Sequence, residues 1–277
     1  MQEVPTSQEG MAERQQPILA GKFKLLNSGQ VDGSFKPTDP KFRDRLEKVR
    51  KELGVKYVFA PSLAFTKRTG SVTNPMEAGY MVGPEGKAGV QEEGIVRTIA
   101  KADGGIIFLD ELKDFGLEAK DIALAGFNAD CPFIVGYEEE KKALFMLHAG
   151  LGCLHKFGDT GKNTIFQQML EQYHLNPKKI KIHVTAGIQK CCYGRNDEYF
   201  PRVFDEWGLD LKDVATEERK GQTSLDLSKM IEKDLARMGV PDENIVCDKT
   251  CTCHSGDYWS NVKGNPERNL VLVQPDF

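Results

Sequence analysis

Two periodicities organise the apolar residues of this chain. Phe42, Leu46, Val49 and Leu53 follow one another at steps of 4, 3 and 4, which puts them on one helix face. Asp39 reads as the N-cap of that helix, Pro40 as its first residue and Gly54 as its stop. Ile165, Met169 and Tyr173, at four-residue steps, predict a second helix over 163–173. Leu227, Met230, Ile231, Leu235 and Met238 mark a third, closed by Gly239 and Pro241. Apolar runs of strand length lie at 18–26, 55–60, 105–109, 122–127, 133–137, 143–147, 180–184 and 270–273. Residues 27–40 and 66–94 carry turn residues without a period and read as loop or very short elements. Strands outnumber helices and come in runs. That predicts an α+β fold with a mixed sheet rather than a doubly wound parallel one. No internal repeat and no interdomain linker stands out.

Composition narrows the function classes. The chain has 277 residues, with 37 Lys and Arg against 41 Asp and Glu, a net charge of −4. Phosphate backbones are held mainly by excess basic charge, so a general nucleic-acid binder is disfavoured. No apolar run approaches the roughly 18–20 residues that a membrane-spanning helix needs. Residues 1–17 are rich in Gln, Glu and Ser, without a basic or apolar signal segment. They read as a solvated tail on a single domain over 18–277. Seven cysteines, an odd number and without a secretion signal, argue against a disulfide framework. A reducing, cytoplasmic compartment is expected, where thiols serve as core filler, metal ligands or nucleophiles.

The most informative stretch runs from Asn128-Ala129-Asp130-Cys131 to His148-Ala149-Gly150. The strands predicted at 133–137 and 143–147 flank a Glu- and Lys-rich turn at 138–142. Cys131 and His148 are equidistant from the midpoint between Glu139 and Glu140. If the hairpin pairs symmetrically, thiol and imidazole emerge together at its open end, roughly 5 Å apart. Such a pair can hold zinc, given a third ligand. It can also work as a Cys nucleophile with a His base. The plainer alternative is that Cys131 packs as a small apolar residue and His148 caps a strand end.

Other features carry less. Cys247, Cys251, Cys253 and His254 form a C-x3-C-x-C-H cluster, conceivable as a second structural zinc site, although C-x-C is not the usual knuckle spacing. Cys191 and Cys192 are adjacent. In a strand they would point to opposite faces, which puts one of them in the core. Residues 158–163 lack the glycine spacing and the Ser or Thr of a nucleotide phosphate loop. His155, His174 and His183 have no partnered spacing, and the charged run at 217–220 reads as a solvated face.

Three blocks together resemble the laccase-domain, or polyphenol-oxidase-like, family of zinc-dependent purine nucleoside phosphorylases. They are Ala129-Asp130-Cys131 with His148-Ala149-Gly150, then Gly187-Ile188 with Cys191-Cys192-Tyr193, and Cys251-Thr252 with Tyr258-Trp259-Ser260. Weaker similarity covers residues 39–54 and Ala102-Asp103. The resemblance implies a four-layer α/β/β/α fold. It implies zinc, with copper the lesser candidate, held by two His and one Cys. It further implies phosphorolysis of adenosine, inosine or methylthioadenosine, and adenosine deamination as a second activity. By position, Cys131 and His148 are two of the ligands and the catalytic centre. Asn128 and Asp130 are the candidates for contacts to base or ribose, unless Asp130 only hydrogen-bonds the hairpin mouth.

Three departures stand out. The third family ligand is a His upstream, and its slot falls near 61–66, where this chain offers Ser62 and Thr66. The family's Trp-Arg-Gly after His-Ala-Gly is Leu151-Gly152-Cys153 here, and its Tyr-Arg-Arg lies near Asn261-Val262-Lys263. Lys263 supplies charge for phosphate but not the planar fork of arginine. Cys153, His155, Cys253 and His254 are the candidate replacement ligands. The alternatives to a purine nucleoside enzyme are a metal-free Cys–His hydrolase or deamidase, and a scaffold without activity.

Overall fold

The computed structural model describes residues 15–62, 72–73, 94–154, 164–195, 215–219 and 222–277. Two six-stranded sheets form its centre. The first runs β1 (Gln16–Ile18), β2 (Phe23–Asn27), β15 (Asn269–Pro275), β7 (Ile122–Asn128), β3 (Tyr57–Ser62), β5 (Gly94–Lys101). The second runs β14 (Ile245–Cys247), β10 (Ile180–Val184), β8 (Phe133–Glu138), β9 (Ala143–His148), β6 (Gly104–Phe108), β4 (Val72–Thr73). A small third sheet joins β11 (Gly194–Arg195), β13 (Gln222–Leu225) and β12 (Ala215–Arg219). Both large sheets are mixed. β3 runs parallel to β5 and β7, and β15 antiparallel to β7 and β2. Among the described residues the α-helices are α1 (Phe42–Glu52), a single turn α2 (Leu151–Leu154), α3 (Ile165–Tyr173) and α4 (Leu227–Arg237).

Three separate cores identify four layers. Phe42, Leu46 and Val49 of α1 pack on Val58, Ala123, Ala125 and Leu272, the outer face of the first sheet. Phe59, Leu124 and Val271 of that sheet meet Phe133, Val135, Leu144 and Met146 of the second. Ile134, Phe145, Leu147 and Ile182, on the far face of the second sheet, pack under Phe166 and Met169 of α3 and Met230 and Ile231 of α4. Neighbouring residues of one strand thus enter different cores, as the two-residue strand period requires. Strands β7, β8 and β9 are buried on both faces. For that reason they read in the sequence as continuous apolar runs instead of alternating ones.

Several boundaries differ from expectation for local reasons. The single strand expected over 18–26 is a hairpin, β1–β2, because Leu19, Ala20 and Gly21 all take positive φ. Helix α1 starts two residues later than Pro40. Asp39 instead folds a turn, its carboxylate accepting the Lys41 N–H at 2.8 Å and its carbonyl the Phe42 N–H at 3.0 Å. Gly54, at φ 68, ends the helix as expected. Asp226 and Thr164 cap α4 and α3 by accepting the N–H of Lys229 and Gln167. The short strands β11 to β14 and the one-turn α2 carry too few apolar residues to announce themselves. The expected loop at 66–94 and the residues 158–163 lie outside the described residues, apart from β4 and Gly94.

Close approach of β8 to β9 makes Gly136 essential, since a Cβ there would run into the Phe145 ring. Gly136→Ala should therefore cost about 1–3 kcal/mol in urea unfolding. Val31→Ala, at a residue 86% exposed, should change stability by less than about 0.5 kcal/mol.

Candidate active site and metal centre

The hairpin β8–β9 places Cys131 and His148 together, with a register two residues away from the symmetric one. Phe133 pairs with His148 and Glu138 with Ala143, so the turn is 139–142 rather than 138–142. Lys142, at φ 50, and the Lys141 N–H on the Glu138 carboxylate at 2.7 Å set that turn. The ladder continues past the strands, with the Ala149 N–H on the Pro132 carbonyl at 2.9 Å. In this register Cys131 stands opposite Gly150, and His148 is its diagonal neighbour. A shift of two residues preserves the face on which a side chain lies, whereas a shift of one would not. Thiol and imidazole therefore still converge. A Cβ built on Gly150 would sit 3.1 Å from Cys131 Sγ and 3.2 Å from His148 Nε2. The bare glycine thus opens the space between the two groups.

The other imidazole nitrogen faces inward. His148 Nδ1 lies 3.9 Å from Asp103 Oδ1 and 3.7 Å from Cys153 Sγ. The His148 N–H also donates to the Asp103 carbonyl at 2.7 Å, so the β6–β9 ladder delivers Asp103 to the histidine. Burial works against a charged His148. Interactions with Asp103, Cys131 and Cys153 outweigh it and hold the pKa well above the ordinary imidazole value. Burial also pushes the Cys153 thiol up. Asp103, His148 and Cys153 form one donor group. Of the candidate replacement ligands, only Cys153 is placed here. His155 lies outside the described residues, and Cys253 and His254 belong to a different region. Asp103 entered the sequence reading only through the weaker family similarity at Ala102-Asp103, and its partnership with His148 depends on strand pairing across some 45 residues.

Asn128 and Asp130 are both buried. Asn128 donates to the Cys131 carbonyl at 2.6 Å and accepts from Asn269 at 3.3 Å. Asp130 takes φ 105, a region that a side-chain-bearing residue rarely adopts. Three contacts hold it there. Oδ1 accepts the Thr252 hydroxyl at 2.9 Å, Oδ2 the Val262 N–H at 2.8 Å, and its carbonyl the Ile188 N–H at 2.6 Å. The three sequence blocks, far apart along the chain, thus meet at this one residue. Exposed Lys263 follows Val262 directly.

A family model described as multi-copper polyphenol oxidoreductase laccase matches residues 115–268, more than half of the chain. The chain belongs to this laccase-like family. The matched region contains all three blocks that meet at Asp130. Among solved structures, the laccase-like chain is similar to the hypothetical protein YfiH of Bacillus licheniformis. Identity is 16%, coverage 92% of this chain and 93% of that one, and the TM-score 0.62. A Neisseria meningitidis protein of the DUF152 family gives 16% identity over 95% and 97%, with a TM-score of 0.67. YlmD from Geobacillus stearothermophilus gives 18% over 95% and 94%, with a TM-score of 0.65. These likenesses show the fold. No curated protein matches the laccase-like chain in sequence. Among the described residues no helix is long and apolar enough to cross a membrane.

A second donor group, Cys191, Cys192, Cys251 and His254, is also compatible with a metal. The adjacent cysteines are not in a strand, as the sequence suggested, but in a turn at 190–192. Both therefore join one cluster, and Cys192, the half-buried one, also packs against the core under the second sheet. Cys247, expected in this group, is elsewhere. Its thiol is pushed up to about 12, by burial first and then by the nearby Glu232 carboxylate.

Removing the Asp130 carboxylate should free the Thr252 hydroxyl and the Val262 N–H, while the Ile188 N–H keeps the Asp130 carbonyl. Asp130→Ala should lose about 1–3 kcal/mol of stability. Amide hydrogen exchange should speed up most at Val262, while the β8–β10 amides keep their protection.

Proposed function

We propose that this chain is a zinc-dependent purine nucleoside enzyme whose centre is Cys131 and His148. It would release the base from adenosine, inosine or methylthioadenosine by phosphorolysis, with adenosine deamination as an accompanying activity. The observation that carries the reading is the convergence of Cys131 Sγ and His148 Nε2 beside Gly150, within the family's own sequence blocks. The donor chemistry fits zinc. A thiolate and an imidazole are both good zinc ligands, and a carboxylate behind the second ring nitrogen is the usual support of a metal-bound histidine. The whole chain has five histidines, which suits a single mixed S/N site better than several copper ions. Bound there, zinc would supply a Lewis acid and an activated water.

The residues around the pair have distinct tasks in this reading. Asp103 orients the His148 ring through Nδ1 and so aims Nε2 outward. Asn128 and Asp130, with their polar atoms engaged by the protein, act as positioning residues for Cys131 more than as substrate contacts. Lys263, next to the Val262 anchor, is the cation we assign to phosphate. Cys153, 3.7 Å from the imidazole, is the nearest further donor among the described residues.

A metal-free Cys–His hydrolase is the second reading, favoured by the closeness of Cys131 Sγ and His148 Nε2 beside Gly150. The two readings separate by experiment. Base release from adenosine and inosine should require phosphate and should fall at least about a hundredfold in Cys131→Ser, a loss in the range that a removed metal or acid–base group produces. Phosphate-independent turnover with a Cys131 that iodoacetamide blocks would favour the hydrolase. No base release under any condition would leave neither activity standing.

A further inference from the structure

We propose that Cys191, Cys192, Cys251 and His254 form a structural zinc site, separate from the Cys131–His148 centre, that fastens two loops of the active-site wall. Their ligand atoms all lie within 4.8 Å of one another, and Cys191 Sγ is 3.2 Å from His254 Nδ1. Tetrahedral zinc with Zn–S near 2.3 Å and Zn–N near 2.0–2.1 Å needs S···S of about 3.8 Å and S···N of about 3.6 Å. The group needs only small side-chain adjustments to reach those separations. Three thiolates and one imidazole are a common closed donor set for structural zinc.

The local backbone has the form of a metal knuckle. Cys251 and His254 stand three residues apart across a tight turn, in which the N–H groups of His254 and Ser255 donate to the Cys251 carbonyl at 3.1 and 3.0 Å. The ligand pair is therefore C-x2-H, and Cys253 is not one of the four donors. Metal binding would release the thiol protons to solvent. The thiols reach the surface unevenly: Cys251 is buried, Cys192 half-buried, and Cys191 and His254 exposed. An ion can therefore enter from solvent and close the site against a buried sulfur.

Its place in the fold gives the site a purpose. The 187–192 and 250–254 segments are joined by an isolated bridge, with the Thr252 N–H on the Gly187 carbonyl at 3.2 Å and the Gly187 N–H on the Thr250 carbonyl at 3.3 Å. Ile188 and Thr252 of those same segments grip Asp130, one residue from Cys131. A metal tying the two turns would hold the Asp130 grip closed.

Zinc content measured on protein purified under reducing conditions tests the site independently of the catalytic reading. In Cys131→Ser, which takes a ligand from the other centre, about one zinc per chain should remain. Adding Cys191→Ser and His254→Ala, both at exposed positions, should abolish it. Cobalt exchanged into the Cys131→Ser protein should show thiolate-to-metal charge transfer that weakens in Cys191→Ser. Should the buried Cys251→Ser variant fail to fold, the exposed pair still decides. A metal-free Cys131→Ser protein, a zinc content indifferent to Cys191 and His254, or a Cys191–Cys251 disulfide in the reduced preparation would each overturn the proposal.

Discussion

Asp130 holds a buried carboxylate at φ 105, a backbone conformation that costs of order 1–3 kcal/mol. Its surroundings offset that cost. A hydroxyl from Thr252 and an N–H from Val262 satisfy both carboxylate oxygens, and the Ile188 N–H takes the carbonyl. The strained residue turns the chain between β7, in the first sheet, and β8, in the second. Cys131 sits in that turn. The geometry of the thiol is thus fixed by contacts more than fifty residues away in sequence.

The two-sheet core makes such a turn possible. β7 lies in the middle of one sheet and β8–β9 in the middle of the other, both buried on both faces. A chain that crosses between the sheets at this point must leave its polar groups near the ends of the strands. There Asp103, Asp130, Cys131 and His148 collect. The apolar layers supply rigidity, and the polar junction at their edge supplies donors. Glycines appear where the junction is tightest, at Gly104 against Leu147 and at Gly150 between thiol and imidazole.

Much of this was legible in the sequence. The apolar runs gave β6 to β9 to within a residue or two, because strands buried on both faces leave an uninterrupted apolar signature, and alternation gave β10. The helix periods gave α1, α3 and α4. The pairing of Cys131 with His148 was visible in the hairpin, although its register was off by two, since turn length alone does not show where Lys142 takes positive φ. Asp103 was invisible as a partner because its role arises from the β6–β9 ladder. The Cys191–Cys192 pair was misjudged by assuming a strand, and turn residues carry no period to correct that. The membership of the second cluster depended on tertiary folding that brings residue 191 beside 254, which no spacing rule encodes.

Zinc K-edge absorption of the Cys191→Ser/His254→Ala protein, which lacks the second cluster, reads the Cys131–His148 centre alone. The expected shell has one sulfur at about 2.3 Å, from Cys131, and nitrogen or oxygen at about 2.0–2.1 Å. A second sulfur would bring Cys153 into the shell. A protein without zinc, or a zinc shell without sulfur, would contradict a metal centre at Cys131 and His148.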